Sequence, residues 1–199
     1  MRFYKVISVV LHPIVIPTLG VLLYFMFVST TLQREQQMLV LGLVFGVTYF
    51  VPLIALILLK VFGFIQDFQV KTIKERRLPV IFMILLFYIL GSLLTKVPTL
   101  RDLGFLFYGT SLSLFFIYIL FVFKIKSSLH LVSMGNAIGF FLVIANLYYL
   151  SLLPLFIVLI LLSGLLASSR LYLKAHTSKE LVYGFFIGVV SQITIFYIL

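Results

Sequence analysis

The chain has no cysteine and no tryptophan, and it has little charge. Without cysteine there is no disulfide and no thiolate metal site, and nothing to indicate a redox compartment. Aspartate and glutamate number five in 199 residues: Glu35, Asp67, Glu75, Asp102 and Glu180. No two are spaced to form the carboxylate cluster that holds Mg²⁺ in many phosphate-handling enzymes. The three histidines, His12, His130 and His176, show no H-E-x-x-H or related spacing. These absences favour chemistry with no metal and no other cofactor.

What fills the chain is apolar. Hydrophobic residues make up 63% and charged residues 10%, and mean hydropathy is +1.28. A soluble domain averages about 45–50% apolar and about 25% charged, so the solvent for most of this chain is lipid. Continuous apolar runs, rather than alternating ones, exclude a β-barrel. A span needs about 20 mainly apolar residues. Seven stretches qualify: 5–29, 38–62, 79–95, 104–124, 130–149, 152–168 and 181–199, with 152–168 the shortest. The expected fold is therefore an all-α integral membrane bundle of about six to seven transmembrane helices. No internal repeat or soluble linker divides it, which predicts one transmembrane domain over 1–199. Met1 and Arg2 before an apolar run look like the start of a signal peptide. The run is too long and lacks a small-residue cleavage site, so it reads as a retained first span. Within it, His12, Pro13 and Pro17 predict a kinked helix, and His12 is a weaker candidate for lining a site.

Lys and Arg exceed Asp and Glu by ten. In a soluble protein this would suggest nucleic acid. In a membrane protein it reads as positive-inside bias together with an anion site, and no nucleic-acid partner is expected. Seven spans assign twelve basic residues to one face of the bilayer and three (Arg34, Lys96 and Arg101) to the other. The basic face carries the N-terminus and the segments 63–78, 125–129 and 169–180. The positive-inside rule places it in the cytoplasm, and the chain is expected in a bacterial inner membrane.

Polar residues at the edges of spans are costly and therefore functional candidates. Three clusters stand on the basic face. The first runs from Lys71 through Lys74, Glu75, Arg76 and Arg77 to Pro79. The second is Lys126-Ser127-Ser128-Leu129-His130. The third runs from Ser169 and Arg170 through Lys174 and His176 to Glu180, with Gly184 following. Each precedes a span, so each is expected at a helix N-terminus. Pro79 suits a first turn, Ser127 or Ser128 a cap, and Thr177 or Ser178 another. Helix N-termini carry unpaired N–H groups and partial positive charge. Three of them meeting with several Lys and Arg residues would make a phosphate site. As topology signals alone, the basic residues would instead be interfacial anchors. His130 and His176 suit proton transfer or nucleophilic attack. His176 and Glu180 lie four apart, so a helix would put them on one face.

Taken together, the clusters resemble the type 2 phosphatidic acid phosphatase (PAP2) family, related to vanadium haloperoxidases. In the third cluster Ser169, Arg170, His176 and Gly184 are in register with the family pattern, and Glu180, Leu181 and Lys174 replace Asp, Val and Gly. In the second, Ser128 and His130 match, and Ser127 and Leu129 replace Pro and Gly. In the first, Lys71 and Pro79 match, while Leu78 stands where the family has Arg and Arg77 comes one residue early. The matching motifs cover about thirty residues.

The resemblance implies a metal-independent phosphohydrolase working through a phosphohistidine. His176 would attack phosphorus, Glu180 would hold its ring, and His130 would protonate the leaving oxygen. Lys71, Arg77 or Arg76, Ser128, Ser169 and Arg170 would bind the phosphoryl oxygens. The substrate would be a phosphorylated lipid or a polyprenyl diphosphate, with its headgroup at the basic face and its tail between helices. The alternatives are a non-catalytic lipid-phosphate binder or transporter on the same scaffold, and an unrelated helical membrane protein. Beyond the bilayer and such a lipid, the residues indicate no protein partner.

Overall fold

A computed structural model describes residues 2–68, 70 and 72–199. The described residues form helices with no strand among them. In chain order the α-helices are α1 (Arg2–Val10), α2 (Ile16–Phe27), α3 (Arg34–Phe45), α4 (Val51–Val61), α5 (Ile73–Thr95), α6 (Arg101–Val122), α7 (Leu129–Leu147), α8 (Leu153–Tyr172) and α9 (Ser178–Ile198). A π-helical turn, Gly46–Phe50, joins α3 to α4 just before Pro52, so the two run as one 28-residue helix, Arg34–Val61. A proline ring cannot fit the regular ladder, and a widened turn accommodates it.

Six helices are long and apolar enough to cross a membrane: Arg34–Val61, Ile73–Thr95, Pro98–Val122, Leu129–Leu147, Leu153–Tyr172 and Ser178–Ile198. The protein is an all-α integral membrane bundle. The seven expected spans become six because the first, 5–29, is not one helix. It breaks between Val10 and Ile16, around His12 and Pro13. The 12-residue α2 that follows is about 18 Å long, short of the roughly 30 Å hydrocarbon core. The shortest expected span, 152–168, extends to Tyr172 and is long enough to cross.

α7 is the central helix, buried along most of its length between α6, α9, α8 and α2. Its closest partner is α9, and glycine permits that approach. A Cβ on Gly135 would lie 2.1 Å from the Phe185 carbonyl oxygen, and one on Gly188 2.3 Å from that of Val132. Lipid tails are as apolar as leucine, so backbone proximity of this kind holds helices together where the hydrophobic effect is weak.

One end of the bundle is pinned by Asp102 at the start of α6. Its carboxylate accepts hydrogen bonds from Tyr24 of α2 at 2.9 Å and Tyr148, just past α7, at 2.6 Å. Arg101 beside it donates to the Leu199 carbonyl. The other end carries the three polar clusters. The α1–α2 segment reaches both ends, with Ser8 beside His130 and Tyr24 beside Asp102.

Candidate functional site

Helices α5, α7 and α9 start at the same end, and hydrogen bonds join those starts. The Ser128 N–H donates to the Glu180 carbonyl at 3.2 Å, and the Ser127 hydroxyl donates to the same oxygen. Arg76 of α5 donates to the Ser127 carbonyl at 3.4 Å. Gly184 allows this meeting, since a Cβ there would lie 2.7 Å from the Ser128 carbonyl oxygen. Any larger residue would push α9 off the 127–128 segment.

The local starts follow from the sequence with two differences. Thr177 caps α9 through the Glu180 N–H, as its position suggests. The cap of α5 is Thr72 in a reciprocal box with Glu75. The helix therefore begins before Pro79, which lies inside it rather than in its first turn, and Arg76 and Arg77 are helical. Ser128 takes the N-cap position of α7, but its hydroxyl makes no capping bond.

Above these helix starts lies a cavity of about 220 Å³. Its polar end is formed by His12, Arg76, His130, Arg170 and His176, and its walls continue inward along Gly20, Phe87, Leu106 and Phe140. Both sequence-singled histidines therefore line one space. The His176 Nδ1 is 2.6 Å from Glu180 Oε2, and the His176 side chain is 2% exposed. With Nδ1–H donated to the carboxylate, the lone pair of Nε2 is left available. Burial holds the His176 pKa well below its ordinary 6.5. The neighbouring Arg76, Lys126 and Arg170 push it the same way against the opposing pull of Glu180. Burial and Arg76 likewise lower the pKa of Lys126, whose ammonium donates to the Ala175 carbonyl at 3.2 Å.

His130 Nε2 lies 3.1 Å from the Ser8 carbonyl. A carbonyl only accepts, so this nitrogen carries a proton. Arg170 Nη1 donates to the Ser8 hydroxyl at 2.7 Å, and its buried Nε has no partner. The buried hydroxyls of Ser128 and Ser169 also lack partners, a costly state for polar groups.

Of the proposed phosphate ligands among the described residues, Arg76 and Arg170 line the cavity, whereas Arg77, Ser128 and Ser169 do not. Lys71 lies outside the described residues. Arg77 turns towards the end of α6, where it approaches the Phe121 carbonyl at 3.5 Å, and it does not line the cavity. Adjacent helical residues point about 100° apart, so only one of the two arginines can face inward, and that one is Arg76. Sequence reasoning also gave little weight to His12 and none to Ser8. The ring of His12 meets that of His130 edge to face, with centroids 5.3 Å apart. The two prolines after His12 signalled the break that brings it there.

The loop before His176 holds Lys174 in a backbone conformation suited to glycine. Lys174 has φ of +51°, in the left-handed region that glycine enters without steric cost. Its N–H bonds to the Leu171 carbonyl and that of Ala175 to Arg170, which is a Schellman cap. α6 ends the same way at Lys124 and α7 at Tyr149, both also at positive φ.

No protein-family model matches the chain, and neither a curated protein nor a solved structure does.

Proposed function

We propose that the protein is a metal-independent lipid phosphate phosphatase acting on a phosphorylated lipid or a polyprenyl diphosphate. The observation that carries this reading is that His130 and His176 line one cavity with Arg76 and Arg170. The polar end suits a phosphate, and the apolar walls leading inward suit its chain.

Phosphoryl transfer asks mainly for positioning and for charge stabilisation around the phosphoryl oxygens. Arg76 and Arg170 are the cations for that task, and arginine can grip two oxygens at once. Arg170, which lines the cavity, also has a buried Nε with a donor to offer. His176, neutral and oriented by Glu180, attacks phosphorus through Nε2 as the phosphorus–oxygen bond to the lipid breaks. His130 gives a proton to that leaving oxygen. Water then attacks phosphorus, forming a phosphorus–oxygen bond as the phosphorus–nitrogen bond to His176 breaks, and its proton goes to His130, which releases inorganic phosphate and restores His176. In this scheme the motif resemblance to the PAP2 family and the cavity support the same roles.

The test is phosphate release by detergent-purified protein from phosphatidic acid and from polyprenyl diphosphate, with EDTA present. Wild type should turn over and trap an acid-labile phosphohistidine, and His176→Ala should do neither. Binding without turnover would replace this reading with the lipid-phosphate binder or transporter. Neither binding nor turnover across a broad lipid panel would remove both.

A further inference from the structure

Ser8 makes an unusual pair of contacts. Its hydroxyl accepts from Arg170 Nη1 at 2.7 Å, and its carbonyl accepts from His130 Nε2 at 3.1 Å. The hydroxyl also lies 3.5 Å from that same nitrogen. One buried residue thus presents two oxygens to a guanidinium and an imidazole.

The carbonyl is available because α1 ends there. The last carbonyls of a helix have no intrahelical donor. The Ile7 carbonyl is taken by Leu11 N–H and that of Val9 by His12 N–H, which leaves Ser8 to His130. A helix C-terminus also carries partial negative charge. The end of α1 therefore offers Arg170 and His130 what an oxyanion would offer them.

The same donors are the ones that the phosphatase reading needs for a phosphoryl oxygen and a leaving oxygen. The Nε2 proton of His130 cannot go to Ser8 and to a leaving oxygen together, and the Arg170 Nη1 proton aimed at Ser8 serves one acceptor or the other while its Nε stays free. α1 is built to yield. Its inward contacts are few: Ile7 and Ser8 are buried, and Tyr4 stacks on Tyr172 of α8 with ring centroids 4.2 Å apart. Phe3, Val6, Val9 and Val10 are exposed, as are Arg2 and Lys5. This composition is that of a helix lying along a membrane surface. The segment after it, Leu11 to Val15, contains Pro13 and leaves the regular helix, which provides a hinge. His12 stands in that hinge against His130, so movement there alters the wall of the cavity.

We propose that α1 is a gate: through Ser8 its C-terminal turn holds Arg170 and His130, and an entering phosphate group displaces it by taking over both bonds. The proposal rests on the reading of the cavity as a phosphate site, and it extends to a binder as well as to an enzyme.

The native chain has no Trp and no Cys, so both can be introduced as single reporters. In Tyr4→Trp the indole keeps the stack on Tyr172 and reports on α1. Its emission should shift saturably with phosphatidic acid in micelles and not with diacylglycerol. An inorganic phosphate arm tells whether the headgroup chemistry alone suffices. In Tyr4→Cys/Tyr172→Cys, a methane-bridged bis-methanethiosulfonate locks α1 to α8 and dithiothreitol releases it. The locked protein should bind phosphatidic acid at least tenfold more weakly than the released one. Ser8→Ala removes a competing oxygen and should tighten binding by about tenfold, the scale of one charged hydrogen bond.

Emission that stays fixed while calorimetry shows phosphatidic acid bound would overturn the gate. So would a locked protein that binds as the released one does, or weaker binding by Ser8→Ala, which would make Ser8 a ligand rather than a stand-in. Hydrolysis, followed in parallel, reports on the other reading. A gate that moves without turnover leaves the gate and removes the phosphatase, turnover with α1 immobile does the reverse, and no binding of either phosphate removes both.

Discussion

His176 Nδ1 and Glu180 Oε2 lie 2.6 Å apart across the Thr177 cap, and the bond straddles the start of α9. His176 precedes the Thr177 cap and Glu180 lies within the first turn, so the cap sets the angle between them. If the phosphatase reading holds, this contact selects the imidazole tautomer that leaves Nε2 unprotonated. Glu180→Gln keeps the shape but no longer demands that tautomer. We expect turnover to fall by roughly 10²–10⁴-fold, by analogy with carboxylate-to-amide changes beside a catalytic histidine. Glu180→Asp shortens the arm and should retain more activity than Gln. Steady-state phosphate release on both variants checks the order.

The depressed His176 pKa predicts the pH behaviour. Its neutral form is favoured by folding, so unfolded protein takes up the proton first as pH falls below 6.5. The contribution of His176 to stability is complete above that value and declines with acid until the folded-state pKa is passed. The acid limb of kcat/KM should likewise lie below pH 6.5. Lys126→Gln removes one of the cations that depress the pKa, so the limb should move upward. A limb that stays put in that variant would mean burial alone sets it.

Arg76 and Arg77 separate cleanly as neighbours with different surroundings. Arg76 lines the cavity, whereas Arg77 approaches the carbonyl end of α6. Arg76→Ala should lower kcat/KM by about 10²–10³-fold, the usual scale for a lost oxyanion donor. Arg77→Ala should change it by less than about threefold and instead lower the melting temperature slightly, since it removes a basic group at a helix C-terminus. Equal effects of the two on kcat/KM would contradict the assignment.

Lys174 holds a positive φ in a cap that glycine adopts without strain. Lys174→Gly should therefore stabilise the protein by about 1 kcal/mol, through relief of left-handed strain offset by added freedom in the unfolded chain. Thermal denaturation in detergent measures this. Lys174→Val, β-branched at the same φ, should do the reverse.

Membrane character and most of the helices were legible from composition and run length, because both depend only on summed transfer energy along the chain. The first segment was not. Its apolar run is long enough to span, and Pro13 marked a kink, but how far the chain turned at His12 depended on α8 and α7 accepting α1 and α2 separately. The pairing of His176 with Glu180 was also readable from their spacing, although His176 lies before the Thr177 cap and the cap, not a helical turn, brings the two together. Whether His130 would face the same space was not, because that requires α7 and α9 to approach at Gly135, Gly184 and Gly188. The one-residue offset of the first cluster was ambiguous for a similar reason. Helical phase makes Arg76 and Arg77 exclusive, but only the neighbour of α5 decides which one turns inward.

Transfer energy and helical periodicity are properties of residues and their near neighbours, so the chain's order alone established a lipid-embedded helical bundle with a basic end. The meeting of residues 12, 76, 130, 170 and 176 in one cavity depends on contacts between helices separated by tens of residues. Those contacts are settled by how backbones fit together, and only the packed bundle contains that information.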